Sequence, residues 1–492
     1  MQSSIFQIFV SKIMNRGAPA PRDIPAEGHL EPEMSQTTVN ATAVPSRTPV
    51  IRALSFSRAD LPVLALGMLL AAAMADGHAV LTTAGVALAG LSLLVTVVVL
   101  VFARRQLRAD PRAGAFARMA VGLALATMLM GLAADALLLA AAWIVTGRLM
   151  AGMIGHVGDS GEARSAARRA SLSFAVSDLA LVTAVLFLAI GAKSTGIAAI
   201  GAAVPTMAVG YLMPAAFLLA IAALARCALP PFSTWLMRSL AAPTPVSALM
   251  HAGFVNAGGF LMVRFAPVIE AATAARFMLF TVGIMAALFG SAIMLVRNDV
   301  KGSLAASTVS QMGFMLLTVA LGAYAAALWH MVAHGVFKAW LFLGSAGTVS
   351  SAPARAKALP QPWPAAIALV TMVGAYALIQ TGEGGVLLPV GLACTALLSA
   401  LTVGLRSVSR SAVGLVVAAV PVMLIALNAA ALAVMSALQD NAALPLIHDY
   451  AQFALLSLFL AGWVAQQRVA SGERNLPPAL FARLFHAGNL SA

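Results

Sequence analysis

His330, His334 and Lys338 recur at four-residue intervals within the apolar stretch TVALGAYAAALWHMVAHGVFKAWLFLGSAGTVS. On a helix that interval stacks all three ionisable side chains on one face. The stretch is long enough to cross a bilayer, which places the row near mid-depth. An ionisable group there is costly and marks an ion or proton path. Histidine changes charge near neutral pH unaided, and lysine does so when burial disfavours its ammonium form. The chemistry of this row is therefore proton relay. A lone histidine would more readily serve as a hydrogen bond between helices; two aligned with a lysine favour the relay. Lys301, at the start of the preceding apolar span, is placed to continue it.

A second feature is Arg226, four residues before Pro230-Pro231, inside an apolar segment too long for one straight helix. Proline removes a backbone donor and clashes with the preceding turn. Irregular backbone at membrane depth is tolerated only where it faces protein or a wet cavity, and transporters use such broken helices to present carbonyls and dipole ends to ions. Arginine keeps its proton in a protein. Arg226 therefore reads either as a fixed charge that tunes its neighbours or as the donor to carbonyls freed by the prolines. His251 follows a helix start set by Pro243-Thr244-Pro245 and serves as relay or as packing. Arg148, inside the fourth apolar span, reads as a snorkelling side chain near the span's end. Asn256, beside Gly258 and Gly259, reads as packing glue between close helices.

The elements that must position these residues are transmembrane helices. The chain has 492 residues, of which 61% are hydrophobic and 10% charged, against about 25% charged in a soluble domain. Mean hydropathy is +0.93. The apolar runs are continuous and about twenty residues long, which argues helices rather than a barrel. The net charge of +13 is scattered between apolar runs without interleaved aromatics, which excludes a nucleic-acid surface. Two distant cysteines, Cys227 and Cys394, with no CxxC, HExxH or dinucleotide fingerprint, exclude an iron–sulfur cluster held by this chain alone and give no sign of flavin or zinc. No cofactor is expected here.

The fold class expected is all-α, a polytopic membrane bundle of about fourteen transmembrane helices. The spans read as 60–76, 79–103, 113–131, 133–156, 171–192, 205–240 (broken), 243–263, 277–296, 302–320, 323–348, 363–381, 385–404, 411–437 and 449–467. Every second connection is basic: Arg104, Arg105, Arg108 and Arg112; Arg164, Arg168 and Arg169; then Arg238, Arg297, Lys301, Arg355, Lys357, Arg406, Arg410, Arg468 and Arg474. The opposite side carries Lys193, Arg264 and Arg276. The positive-inside rule makes the basic side, with both termini, cytoplasmic. Residues 1–58 are polar and Pro-rich and lack a signal peptide's apolar core, so they read as a disordered cytoplasmic arm. Met34 is a second candidate start, which would make residues 1–33 dispensable. The transmembrane domain then covers 59–468, followed by a cytoplasmic tail over 469–492.

Three stretches carry a family resemblance. ARCALPPFSTWLMRSLAAPTPVSALMHAG, DVKGSLAASTVSQMGFM and WHMVAHGVFKAWLFLGSAG resemble signature helices of the antiporter-like membrane subunits of respiratory complex I (the chain 5 type of NADH-quinone oxidoreductase) and of multisubunit cation/proton antiporters. FARMAVGLALATMLMGLAADALLLAAAWIVTG resembles that family's earlier helix pair, so the likeness covers most of 80–350. It implies two inverted five-helix repeats, here about 113–266 and 277–437, each with a broken helix. It also implies an ion pathway. Arg226 stands where the family has the lysine of the first broken helix, and His251, Lys301, His330, His334 and Lys338 match its titratable positions. Asp178, in FAVSDLALV, matches an acidic position in the preceding helix.

The departures narrow the resemblance. Trp143 is followed by Ile144, Val145 and Thr146 where those subunits carry a glutamate, so the family's Lys–Glu pair is missing. The second break, YALIQTGEGGVLLPVGLACTALL, holds no basic residue, and a chain ending near residue 492 is expected to be too short for the family's lateral helix. HAGFVNAGGFLMVRFAPV and RRASLSFAVSDLALVTA are similar to the membrane subunits of DAB-type inorganic carbon pumps. That resemblance implies a bacterial inner-membrane subunit conducting protons or sodium ions. It also implies a partner, a large peripheral carbonic-anhydrase-like subunit of the DabA type that holds the zinc. The alternatives are a proton-pumping subunit of a respiratory NADH–quinone oxidoreductase or cation/proton antiporter, and a membrane scaffold that conducts nothing.

Overall fold

The computed structural model describes residues 61–75, 80–297, 299–346, 362–380, 387–406, 413–437 and 446–489. The expected arm over 1–58 and the second break around 381–386 lie outside them. The described chain is helical: α1 Leu61–Ala75, α2 Thr83–Gln106, α3 Ala113–Leu132, α4 Ala136–Ile154, α5 Gly161–Ala192, α6 Ile197–Ala203, α7 Val209–Arg226, α8 Thr234–Met237, α9 Thr244–Ala252, α10 Ala257–Arg264, α11 Ala266–Ala271, α12 Thr273–Val296, α13 Val300–Ala320, α14 Tyr324–Ser345, α15 Trp363–Gln380, α16 Leu387–Arg406, α17 Val413–Ala437, α18 Asp449–Ala470 and α19 Pro478–Asn489. Among the described residues, eleven helical segments are long and apolar enough to cross a membrane. The protein is a multi-pass membrane protein, and each apolar segment read from the sequence falls on a helix.

Helix starts follow local chemistry. Thr82 accepts from the Gly85 N–H, Asp135 from Leu137, Ser160 from Ala163 and Asp299 from Gly302, each satisfying a donor that a first turn leaves open. The Ser160 cap explains a difference from the sequence reading. α5 begins ten residues before the apolar span and runs for 32 residues, about 48 Å at 1.5 Å per residue and longer than the hydrocarbon core. Its charged first turns, with Arg164, Arg168 and Arg169, stand beyond the apolar part.

Two spans are interrupted. α7 ends at Arg226 and α8 starts at Thr234, so Pro230 and Pro231, joined by a cis bond, lie in the break. The segment read as one straight span over 243–263 is also broken. A 3-10 turn at Phe254–Asn256 divides α9 from α10, following Gly253. The segment expected as a tail contains α19, which packs against α12.

Contacts between connections sort onto two sides. Arg264 donates to the Ala133 carbonyl (2.8 Å), Ala136 N–H to Thr195 O (2.8 Å), and Arg276 Nε to Ala320 O (2.9 Å). Opposite them, Arg112 reaches His156 O (2.9 Å) and Lys301 reaches Ala242 O (3.0 Å). These are the sparsely charged and the basic side of the charge alternation. Outward faces carry large apolar side chains such as Leu172, Leu179 and Ile190, as lipid requires.

Candidate functional site

Two polar clusters lie inside the bundle. The first is built on the last turn of α7. The Arg226 guanidinium is wholly buried. Its Nη1 donates to Thr146 Oγ1 (3.1 Å) and its Nη2 to Trp143 O and Asp178 Oδ1 (both 3.1 Å). The guanidinium carbon lies 4.2 Å from the ring centroid of Trp143, 4.6 Å from Phe254 and 5.4 Å from Phe174, an aromatic box that attracts a cation. The other carboxylate oxygen of Asp178 accepts from Arg148 Nη2 at 2.5 Å. Two guanidinium groups therefore bracket one carboxylate.

This geometry corrects two readings. Arg226 does not serve the carbonyls near the prolines. The Ala225 carbonyl, at the end of α7, accepts instead from Trp235 Nε1 across the break (3.0 Å). Arg148 does not simply snorkel. Its side chain is 49% exposed, yet it turns to Asp178. Trp143, Thr146 and Ser177 also belong to the cluster, with Trp143 Nε1 donating to Ser177 Oγ and Ser177 in turn to Ala222 O. The order Trp143–Thr146–Arg148, lying partly on one helical face, is the signal that could have shown them.

The second cluster gathers α9, α13 and α14. His330, His334 and Lys338 are all buried, with Lys338 at 0% exposure. The two imidazole rings lie nearly parallel at 11°, their centroids 5.8 Å apart, as the four-residue spacing requires. Among the described residues, the hydrogen-bond partner of Lys338 Nζ is the Leu304 carbonyl at 2.9 Å, and no carboxylate pairs with it. The same carbonyl accepts from Thr308 Oγ1 (3.0 Å), and Thr308 Oγ1 lies 3.0 Å from His251 Nδ1. With the Thr308 proton on Leu304, His251 Nδ1 is the donor, which leaves Nε2 as its proton-accepting atom. The His251 ring stacks on Phe342 at 4.2 Å. Lys301 sits one turn before Leu304 and holds the Ala242 carbonyl ahead of α9. Thr308 was not singled out from the sequence; the run STVSQ contains it without marking which hydroxyl faces inward.

The two histidines of the row differ from His251. His330 Nε2 and both ring nitrogens of His334 are buried without a hydrogen-bond partner among the described residues. A buried polar atom left so is costly unless water reaches it. Arg226 and Asp178 form one centre; His251, Lys301, His330, His334 and Lys338 form the other. Asn256 does not bond between helices as read: its amide donates to Ala252 O four residues back (2.7 Å), and its Oδ1 is buried without a hydrogen-bond partner among the described residues; the close approach is at Gly258, where a Cβ would meet Cys227 Sγ at 2.4 Å. Among the described residues no three His, Cys, Asp or Glu side chains gather as metal ligands.

Residues 133–361 match the transmembrane domain family described as NADH:quinone oxidoreductase/Mrp antiporter. The chain is 38% identical over 270 residues to the probable inorganic carbon transporter subunit DabB1 of Halothiobacillus neapolitanus, covering 54% of this chain and 48% of that protein. It is 50% identical over 119 residues to the probable inorganic carbon transporter subunit DabB of Bacillus subtilis, covering 24% and 23%. It is 37% identical over 234 residues to NADH-quinone oxidoreductase subunit L of Mycobacterium tuberculosis, covering 46% and 37%. The matches thus span half or less of these relatives' length. Among solved structures, the Mrp complex from Dietzia sp. DQ12-45-1b superposes with a TM-score of 0.54 at 22% identity, over 88% of this chain and 56% of that one. An archaeal membrane-bound sulfane sulfur reductase gives 0.52 at 17% identity, over 88% and 90%. These two share the fold.

Proposed function

We propose that this chain, which carries an antiporter-like transmembrane domain and is similar to inorganic carbon transporter subunits, conducts protons or sodium ions to energise inorganic carbon uptake. The observation that carries the reading is Lys338. It is an ammonium position buried at membrane depth with one carbonyl for a partner, in a row with two histidines of which His330 Nε2 and both ring nitrogens of His334 are buried without a hydrogen-bond partner among the described residues. Such an arrangement is costly as packing and makes sense as a hydrated relay. From His330 to Lys338 the row climbs about 12 Å at 1.5 Å per residue. α14 runs from the sparsely charged side to the basic side, so His330 faces the former and Lys338, with Lys301 beyond it, the latter. Proton transfer runs between Lys338 and His334, on to His330, with His251 Nε2 as a side acceptor. Arg226, boxed by rings and paired with Asp178, is a fixed charge rather than a relay.

The carbon substrate rests on the similarity to the DabB proteins and on the missing glutamate after Trp143. The proposed partner is a large peripheral carbonic-anhydrase-like zinc subunit, with hydration of carbon dioxide on that partner made one-directional by ion flux through this chain. The setting is a bacterial inner membrane with the basic side in the cytoplasm. The test is growth in ambient air of cells lacking carbonic anhydrase, carrying this chain, the zinc partner, or both. Growth with both genes alone is expected; growth with the partner by itself would remove this chain from the process. The similarity to subunit L favours a second reading, a respiratory or antiporter subunit. Cation-driven proton movement in vesicles without the zinc partner, together with no growth rescue, would select it.

A further inference from the structure

The helix α19, PALFARLFHAGN, has two faces. On one arc lie Leu480, Phe481, Leu484, Phe485 and Ala487; on the other lie Arg483, His486 and Asn489. The helix is anchored at its end. The Gly488 carbonyl accepts from Arg297 Nη1 at 3.0 Å. A Cβ on Gly488 would come within 2.9 Å of Ile293, so the backbone lies directly on the last turn of α12. Ala487 and Gly488 also border a shallow cleft with Ser233, Thr234 and Arg238, in the segment that follows the helix break. That anchor uses only part of the apolar arc. Leu480, Phe481 and Phe485 stay 44%, 44% and 43% exposed, the two rings stacked at 5.9 Å.

The depth of the anchor decides what covers these rings. α12 crosses the membrane as the span Thr273–Val296, and Ile293 is one turn from its end. Gly488 therefore sits at the boundary between hydrocarbon and headgroups, on the basic side. A short helix at that level with exposed phenylalanines on one arc and arginine and histidine on the other has the composition of one that lies in the bilayer surface. Arg238 and Arg483 around it suit anionic headgroups.

We infer that α19 is an interfacial helix whose Leu480, Phe481 and Phe485 insert among the lipids of the basic-side leaflet while its C-terminal turn clamps the end of α12 beside the broken helix. The clamp touches a sensitive place. Arg297 pairs with Asp299 at 2.7 Å, and Asp299 caps α13 at Gly302 (2.6 Å), next to Lys301. Lipid contact at α19 thus bears on the start of the helix that carries Lys301. The inference needs only the membrane span of α12, not the ion-conducting role proposed above.

The experiment uses the full chain in vesicles of phosphatidylethanolamine and phosphatidylglycerol. An environment-sensitive fluorophore is placed at Phe485→Cys and, for comparison, at His486→Cys, with Cys394→Ser removing the exposed thiol. Nitroxide lipids labelled near the headgroup should quench the probe at 485 severalfold more than the probe at 486, with aqueous iodide showing the reverse order. Phe481→Trp read against brominated lipids, with the parent chain's signal subtracted, gives a second measurement should the cysteine variant fold poorly. Equal access of iodide to both positions, with no lipid quenching, would overturn the inference in favour of a soluble partner. A signal that follows protein-to-lipid ratio would overturn it in favour of a second copy.

Discussion

Asp178 holds the first cluster together, because it is the one carboxylate between two guanidinium groups. Asp178→Asn leaves the fully buried Arg226 without its counter-charge, and breaking such a pair costs about 3 kcal/mol or more. The expected outcome is a lower yield of monodisperse protein and a lower melting midpoint in detergent. Arg148→Ala should cost far less, since that side chain is half exposed and exposed ion pairs contribute about 0–1 kcal/mol. Equal destabilisation by the two variants would place the weight on Arg148 instead. The row His330–His334–Lys338 was legible from sequence because helical spacing alone puts the three on one face. The Arg148–Asp178 pair was not, because it joins residues 30 positions apart on two helices, and no periodicity reports which faces meet. Arg226 was found for its charge beside the break, yet its partners lie 48 to 83 positions away.

The helix pair α12 and α13 packs backbone close to backbone. A Cβ on Gly290 would meet Ala306 O at 2.5 Å and Ser310 N at 2.6 Å, and one on Gly313 would meet Ala287 N at 2.7 Å. These are backbone atoms that cannot step aside. Gly290→Ala should therefore destabilise the fold by about 1–3 kcal/mol, the range for overpacking. Gly462→Ala, where nothing lies within 4 Å, should be neutral or mildly stabilising. Thermal unfolding in detergent compares them. On the basic side, the connection between α2 and α3 is fastened by Asp110. The Arg112 backbone N–H, and after it the His156 ring, hold its carboxyl below the usual carboxylate range. A depressed native value gives stability that is present above the ordinary carboxylate pKa and is lost as pH falls through the native one. Hydrogen exchange over 107–112 should thus stay slow at neutral pH and rise only in acid; Asp110→Asn should raise it at neutral pH. Helix existence was readable because long apolar runs have few alternatives. The interruption at Phe254–Asn256 was not, because Gly253 and Asn256 are also ordinary packing residues in membrane helices. Nor was the docking of α19, whose short apolar arc is covered only through contacts remote in sequence.

For the whole molecule, the alternation of basic connections agrees with which loops touch which: charge and contact group the connections onto the same two sides. Reporter fusions after Arg474 and within the Lys193–Gly196 turn should place the first in the cytoplasm and the second outside; the opposite pattern would invert the proposed orientation. The substrate sits at the far end of the argument, because composition and spacing speak of ion movement and only similarity speaks of carbon. The central claim is that a titrating Lys338 drives uptake. The most direct measurement is accumulation of labelled inorganic carbon in cells lacking carbonic anhydrase that express this chain with the proposed zinc partner, with wild type set beside Lys338→Ala and Lys338→Arg. Each variant's membrane level is matched by immunoblot. Both variants should fall to the uptake of cells without the chain, because alanine removes the relay and a guanidinium keeps its proton. Full uptake by Lys338→Arg would show that Lys338 acts as a static charge and would contradict the account.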